Sequence, residues 1–110
     1  LMAFADESMM TQVVINLLKN AVQAIGGTKE GEIRIRAYVD SQDIVRIEVS
    51  NNGPKIAPEI ANQMFIPFFT TKEEGSGIGL SLSKQMMRLQ GGNVSLLPYR
   101  DEWTTFVVTI

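Results

Sequence analysis

Four stretches of this chain hold side chains whose chemistry goes beyond packing. Asn16 and Asn20 lie four residues apart in NLLKNAVQAI, and on a helix that spacing puts both amides on nearly the same face. Asparagine is a poor helix former, so two of them among Val, Leu and Ala need a reason. Satisfied polar groups at the edge of a core are one reason. An oxygen ligand for Mg²⁺, which prefers hard oxygens and usually shares its shell with substrate phosphates, is another. Further on, Gly75-Ser76-Gly77-Ile78-Gly79 stands ahead of a helical pattern. A glycine-rich turn feeding a helix offers free backbone N–H groups and a positive dipole end to phosphate, though glycines also punctuate ordinary loops. No strand immediately precedes it and the spacing is G-x-G-x-G, so it is not the dinucleotide fingerprint; without a following Gly-Lys-Ser/Thr it is not a P-loop.

The remaining two stretches flank that turn and the first strand pair. Phe65-Ile66-Pro67-Phe68-Phe69-Thr70-Thr71-Lys72 puts three of the five phenylalanines in one loop-like segment. Such a loop can tuck a ring into the core. Its two hydroxyls and Lys72 ammonium also suit a triphosphate, with lysine as a point charge. Asn51-Asn52-Gly53-Pro54 follows a strand-like run; it reads either as a strand-ending turn or as an elbow that offers an amide to a base. Together, and in this order, the four stretches suit magnesium, a base, a γ-phosphate and a phosphate backbone.

Composition narrows what else is open. The chain has 110 residues, 10 Lys+Arg against 12 Asp+Glu for a net charge of −2, and 45% hydrophobic residues, which fits one globular domain. No apolar run approaches the roughly 18 residues of a membrane span. The chain contains no cysteine and no histidine, so thiolate and imidazole chemistry are excluded within it. Slight acidity argues against a broad nucleic-acid footprint.

The elements that would position these residues follow from periodicity. Apolar residues recur at three and four over residues 6–25, predicting an amphipathic helix with Asp6 as N-cap and Gly26-Gly27 as its stop. Residues 32–39 and 44–50 alternate as an antiparallel hairpin with one wet face. A short helix is expected over 58–64, an irregular segment over 65–76, and a second long helix over 78–90 closed by Gly91-Gly92. Two strands, 94–97 and 103–110, complete the chain. Clustered antiparallel strands with helices on one face imply an α+β two-layer sandwich.

In this order, NLLKNAVQAI, NNGPKI, FIPFFTTK and GSGIGLSLSKQMMRLQGG closely resemble the catalytic, ATP-binding domain of bacterial sensor histidine kinases, over about residues 6–110. That domain belongs to the ATPase superfamily of gyrase, heat-shock chaperones and mismatch-repair proteins. The resemblance implies a Bergerat-type fold, with a mixed, mostly antiparallel sheet and helices on one face. It implies Mg-ATP as ligand, with Asn20 holding the metal. Asn16 falls where hydrolysing relatives carry a glutamate that activates water; an amide cannot be that base, so phosphoryl transfer to a protein is favoured over hydrolysis. Lys72 and Asn16 take the catalytic positions. Thr70, Thr71, Gly75, Ser76, Gly77, Ile78, Gly79 and Leu80 line the phosphate side, and Asn51, Gly53, Ile56 and Phe65 the remainder of the nucleotide pocket. The lid between Lys72 and Gly75 is very short.

Departures from the family pattern carry consequences. Asn51 stands where the family has an aspartate that accepts from the adenine amine, and Lys55 replaces a second glycine, adding a Cβ that restricts the backbone. Because the chain has no histidine, the acceptor must lie on a dimerisation domain of a longer parent, from which a receiver domain of a response regulator takes the phosphate. This sequence is then a cytoplasmic, monomeric fragment. The alternative is a degenerate nucleotide-sensing or docking module without kinase activity; a serine kinase of the same superfamily is a third. Restoring the carboxylate tests the base contact: Asn51→Asp should tighten ADP or ATP binding by about 1 kcal/mol, roughly fivefold, in calorimetry, and unchanged or weaker binding removes Asn51 from that role.

Overall fold

The computed structural model describes residues 6–68 and 79–110. Helix α1 spans Glu7–Ala24. Asp6 starts it with extended backbone, its Oδ1 accepting the Met9 N–H at 2.9 Å, which satisfies one of the helix's orphan donors. Val13, Leu17 and Ala21 recur every fourth residue and are buried, so one stripe of α1 faces the core. The Asp6 N–H also donates to Gln90 Oε1 at 2.6 Å, tying the start of α1 to the far end of the second long helix.

Strands β1 (Ile33–Val39) and β2 (Val45–Asn51) form the expected hairpin, in register from Ile33 opposite Asn51 to Val39 opposite Val45. Asp40 organises its turn: Oδ1 accepts the N–H groups of Gln42 and Ile44, and Oδ2 pairs with Arg46 at 2.7 Å. The guanidinium hydrogen bond, helped by those two N–H groups, holds the Asp40 carboxyl below the usual carboxylate range. The alternation in β1 does not translate into a covered face. Ile35 and Val39 stay 57% and 48% exposed, because β1 is an edge strand and α1 packs over β2 instead.

Helix α2 is a single turn, Pro58–Ala61, shorter than the expected 58–64, with Pro58 in its first turn as anticipated. Helix α3 spans Gly79–Leu89 and closes through Gly91, whose φ of 81° is the left-handed conformation that glycine adopts without steric cost. Strands β3 (Asn93–Leu96) and β4 (Thr104–Thr109) follow. The sheet order is β1-β2-β4-β3, and every described pairing is antiparallel.

The expected α+β two-layer sandwich is the architecture observed. Val49, Val94, Phe106 and Val108 on the inner sheet face meet Val13, Leu17 and Ala21 of α1 and Met87 of α3 in one core. Of the loop phenylalanines, Phe65 packs edge-on against Phe106, ring centroids 6.2 Å apart, while Phe68 is 77% exposed. Phe69 lies outside the described residues. The outer sheet face is mostly polar around a buried Val107, with Arg34 over the Trp103 ring, Tyr38 donating to Glu48 and Ser50 bonded to Thr105.

Gly53 joins the two layers. A Cβ there would lie 2.5 Å from the Ala24 carbonyl oxygen and 3.0 Å from Asn51 Oδ1, so backbone at the end of α1 would have to move. Gly53→Ala should therefore lower stability by about 1–3 kcal/mol in a thermal or denaturant melt, whereas Lys55→Gly should stay within about 1 kcal/mol of the parent.

Candidate functional site

Three polar side chains are buried among the described residues: Asn51, Ser83 and Thr104. Buried polar groups normally find partners or have a function. Two of them face each other across strands, since the β2–β4 register sets Asn51 directly opposite Thr104, and both belong to the inner face with Val49 and Phe106. Asn51 Oδ1 accepts the Gly53 N–H at 3.0 Å. A backbone N–H only donates, so the oxygen edge of that amide must be the one turned toward Gly53. Thr104 Oγ1 is buried and has no hydrogen-bond partner.

A cavity of about 320 Å³ opens beside Thr104. Ile56, Pro58, Ala61 and Leu96 make it mostly apolar, and Lys55 and Tyr99 stand at its border with the ammonium 5.6 Å from the ring centroid. An apolar slot with a few fixed polar groups is how proteins commonly hold flat organic ligands. Lys55 does not have positive φ, so the missing second glycine imposes no backbone strain here. Ile56 and Phe65, both expected at the pocket, are half-buried and pack against the core; Ile56 also lines the cavity.

On the other side of the groove, α1 presents Asn16 and Asn20, both half-buried and one turn apart. Asn16 is tied to α3. Its Nδ2 donates to Ser83 Oγ at 3.1 Å and to the Gly79 carbonyl at 3.3 Å, while its Oδ1 accepts from Gln12 Nε2 at 2.8 Å. Ser83 Oγ in turn donates to the Gly79 carbonyl at 2.8 Å. Gly79 is the first described residue of α3, and a Cβ on it would meet none of the described residues within 4 Å. Leu80, next along, packs against the core. The expected phosphate-side residues Thr70, Thr71, Lys72, Gly75, Ser76, Gly77 and Ile78 lie outside the described residues.

Among the described residues, Asn16 is thus joined to Gly79 and Asn51 to Gly53, while Ile56 lines the cavity beside Thr104. Sequence reasoning missed Thr104, Ser83 and Gln12. A signal existed for two of them. Ser83 falls on the buried stripe Leu80–Ser83–Met87 of α3, and Thr104 shares the inner-face period of two with Phe106 and Val108; a polar residue on an apolar stripe is informative. That Thr104 meets Asn51 depended on register, which no local pattern announces.

No metal-binding group of three or more acidic side chains occurs among the described residues. A magnesium ion would therefore rely on the Asn20 amide oxygen together with phosphate and water oxygens, a donor set that Mg²⁺ accepts. The orphaned Thr104 hydroxyl, the apolar cavity and Gly79 at the start of α3 fit a nucleotide lying along the groove.

Comparisons with known proteins agree with this geometry. The family described as histidine kinase-, DNA gyrase B-, and HSP90-like ATPase matches residues 5–110. The C4-dicarboxylate transport sensor protein DctB of Rhizobium meliloti (strain 1021) is 36% identical over 110 residues, which are 100% of this chain and 17% of that protein. The chain therefore spans about a fifth or less of such curated relatives. Among solved structures, the catalytic domain of histidine kinase ThkA superposes with a TM-score of 0.81 at 35% identity, covering 98% of this chain and 69% of that one. ThkA in complex with the response regulator protein TrrA gives 0.78 at 34% identity, covering 98% and 30%. Full-length ShkA in complex with AMPPNP gives 0.80 at 28% identity, covering 96% and 22%. From the match over nearly its whole length and from the groove it builds, this chain belongs to the histidine kinase-, DNA gyrase B- and HSP90-like ATPase family.

Proposed function

We propose that this chain is the ATP-binding catalytic module of a sensor histidine kinase, which passes the γ-phosphoryl group of Mg-ATP to a histidine on the dimerisation domain of a longer parent. A response regulator receiver domain would then take the phosphate, as the ThkA–TrrA complex suggests by similarity. The module would work on the cytoplasmic side, where ATP is, and be monomeric when separated from its parent. One observation carries the nucleotide reading furthest: a buried threonine hydroxyl without a partner, set across from Asn51 beside an apolar cavity.

The roles follow from chemistry. Asn51 and Thr104 would recognise the base, with Ile56 packing against it. Asn20 would hold Mg²⁺ against the triphosphate, and Lys72, Thr70 and Thr71 would neutralise and position the γ-phosphate. The glycine turn 75–79 would seat the phosphates on backbone amides, with Ser76, Ile78 and Leu80 completing that wall and Phe65 closing the pocket. Phosphoryl transfer asks for such positioning and charge neutralisation rather than covalent help. Hydrolysis would need a base near the γ-phosphate, and the Asn16 amide hydrogens already serve α3. This supports transfer over an ATPase.

Two measurements decide. Mg-ATP at 100 times its Kd should raise Tm by on the order of 10 °C, from about 2.7 kcal/mol of linkage; no shift at millimolar nucleotide leaves the degenerate docking module as the better description. Thr104→Val, nearly isosteric, removes a buried hydroxyl that no protein group satisfies. The nucleotide-free protein should gain about 1 kcal/mol of stability while ADP affinity drops roughly fivefold. Loss of stability, or unchanged affinity, would place that hydroxyl outside the base site.

A further inference from the structure

Ser83 is a fully buried serine on α3, 0% exposed, on a stripe it shares with Leu80 and Met87. Packing alone does not call for it. An alanine there has better helix propensity, and a serine that back-bonds to the carbonyl four residues earlier slightly weakens its own helix. What the hydroxyl does is complete a three-residue knot. It donates to the Gly79 carbonyl at 2.8 Å and accepts from Asn16 Nδ2 at 3.1 Å, which itself reaches the same carbonyl at 3.3 Å. Gln12 Nε2, one turn back on α1, donates to Asn16 Oδ1 at 2.8 Å and so fixes which edge of that amide faces α3.

We infer that Ser83, acting with Asn16 and Gln12, is a positioning residue that holds the first turn of α3 at the place where nucleotide phosphates bind; this rests on the function proposed above. Ser83 touches no ligand. It acts through Gly79, whose carbonyl carries the knot and where an added Cβ would meet no described residue within 4 Å. Elsewhere the α1–α3 seam is apolar, built on Val13, Leu17 and Met87, and apolar contacts are non-directional, so they resist sliding along the helix axis only weakly. Hydrogen bonds near 3 Å are directional. They set the axial position of Gly79, and with it the first backbone amides of α3. Phosphate binding and transfer feel such placement sharply, since an error near 1 Å can cost about a hundredfold.

Asn16 thereby has a use that does not require it to touch the reacting atoms. The polar pair is placed where a hydrolysing enzyme would need a carboxylate, and it spends its hydrogens on alignment.

The test separates phosphate from base. On this chain with Mg²⁺, calorimetry should show Ser83→Ala weakening ADP and AMPPNP about tenfold, while adenosine affinity, read by competition, stays within about twofold. Asn16→Asp keeps the shape but turns a donor into an acceptor facing the Gly79 carbonyl, and should give the same selective loss. The double variant should lose little more than either single one, because both break one knot. Ser83→Thr, which keeps the hydroxyl, should retain the ADP-to-adenosine ratio. Equal weakening of adenosine and ADP, or additive losses in the double variant, would reduce Ser83 to a fold residue and overturn the inference. Should Ser83→Ala fail to fold, the Asn16→Asp and Ser83→Thr ratios decide in its place. A parent chain that binds neither ADP nor AMPPNP overturns the proposed function itself, which is a distinct outcome.

Discussion

The pairing of β2 with β4 is the constraint on which the base end of the groove depends. It is an antiparallel ladder in the middle of a four-stranded sheet, with Val49 opposite Phe106 and Asn51 opposite Thr104. Strand side chains alternate, so a one-residue slip would send the inner set of one strand to the outer face. The slip is opposed by the core itself: Val49 and Phe106 are 1% exposed and Val108 is 0%, and the outer face has its own bonded pair in Ser50 and Thr105. The same hydrophobic register that closes the core thus delivers two polar side chains to one spot at the strand ends. Neither was placed by a local motif. Stability and recognition share one ladder here, and the orphaned Thr104 hydroxyl is the visible cost of that sharing.

The phosphate end depends on a different kind of contact. Helices α1 and α3 both lie on the inner face, and their seam is apolar except at the Asn16–Ser83–Gly79 knot. One further link braces the pair, Asp6 to Gln90 at the opposite end; separately, the Gly92 N–H on the Met87 carbonyl at 2.8 Å closes α3 where the chain turns into β3. The first helix is thus pinned to the last one near both ends, with directional bonds at the site and hydrophobic packing between. Close approach of the Gly53 backbone to the Ala24 carbonyl links this helical layer to the base end. Helix α1 thus contacts both the start of α3, through Asn16, and the Gly53 segment, through the Ala24 carbonyl.

How much of this was legible can be judged residue by residue. Asp6 as N-cap, the stripe of Val13, Leu17 and Ala21, the 40–43 turn and the Gly91 stop were all readable, because each depends on neighbours within one or two turns of chain. The α+β sandwich followed from element order. The short α2 was overestimated, since Pro58 announces a start but nothing in NQMF announces a stop. β1 looked half-buried by alternation yet overhangs the helical layer, an outcome of how wide that layer is rather than of its own sequence. Asn16, Asn20, Asn51 and Gly53 were singled out from residue type and spacing; Asn16 is hydrogen-bonded to the start of α3 and Asn51 to Gly53. Ser83 and Thr104 escaped because serine and threonine are unremarkable until burial and register are known. Burial is a property of the whole fold.

The chemistry of the groove is best understood through what its amides cannot do. A carboxylate at position 16 would carry charge and could take a proton from water; an amide does neither and instead offers two hydrogens and an oxygen with fixed geometry. Here all of them are used within the protein, toward Gln12, Ser83 and Gly79. Asn51 is likewise an amide, and its oxygen accepts the Gly53 N–H with a second lone pair left over. On the reading proposed above, the site is thus low in charge of its own among the described residues, and charge compensation falls to magnesium and the Lys72 segment. Such an arrangement would hold a triphosphate without activating water against it. On that reading the γ-phosphoryl group would survive until an acceptor is presented to it, since this sequence supplies no histidine.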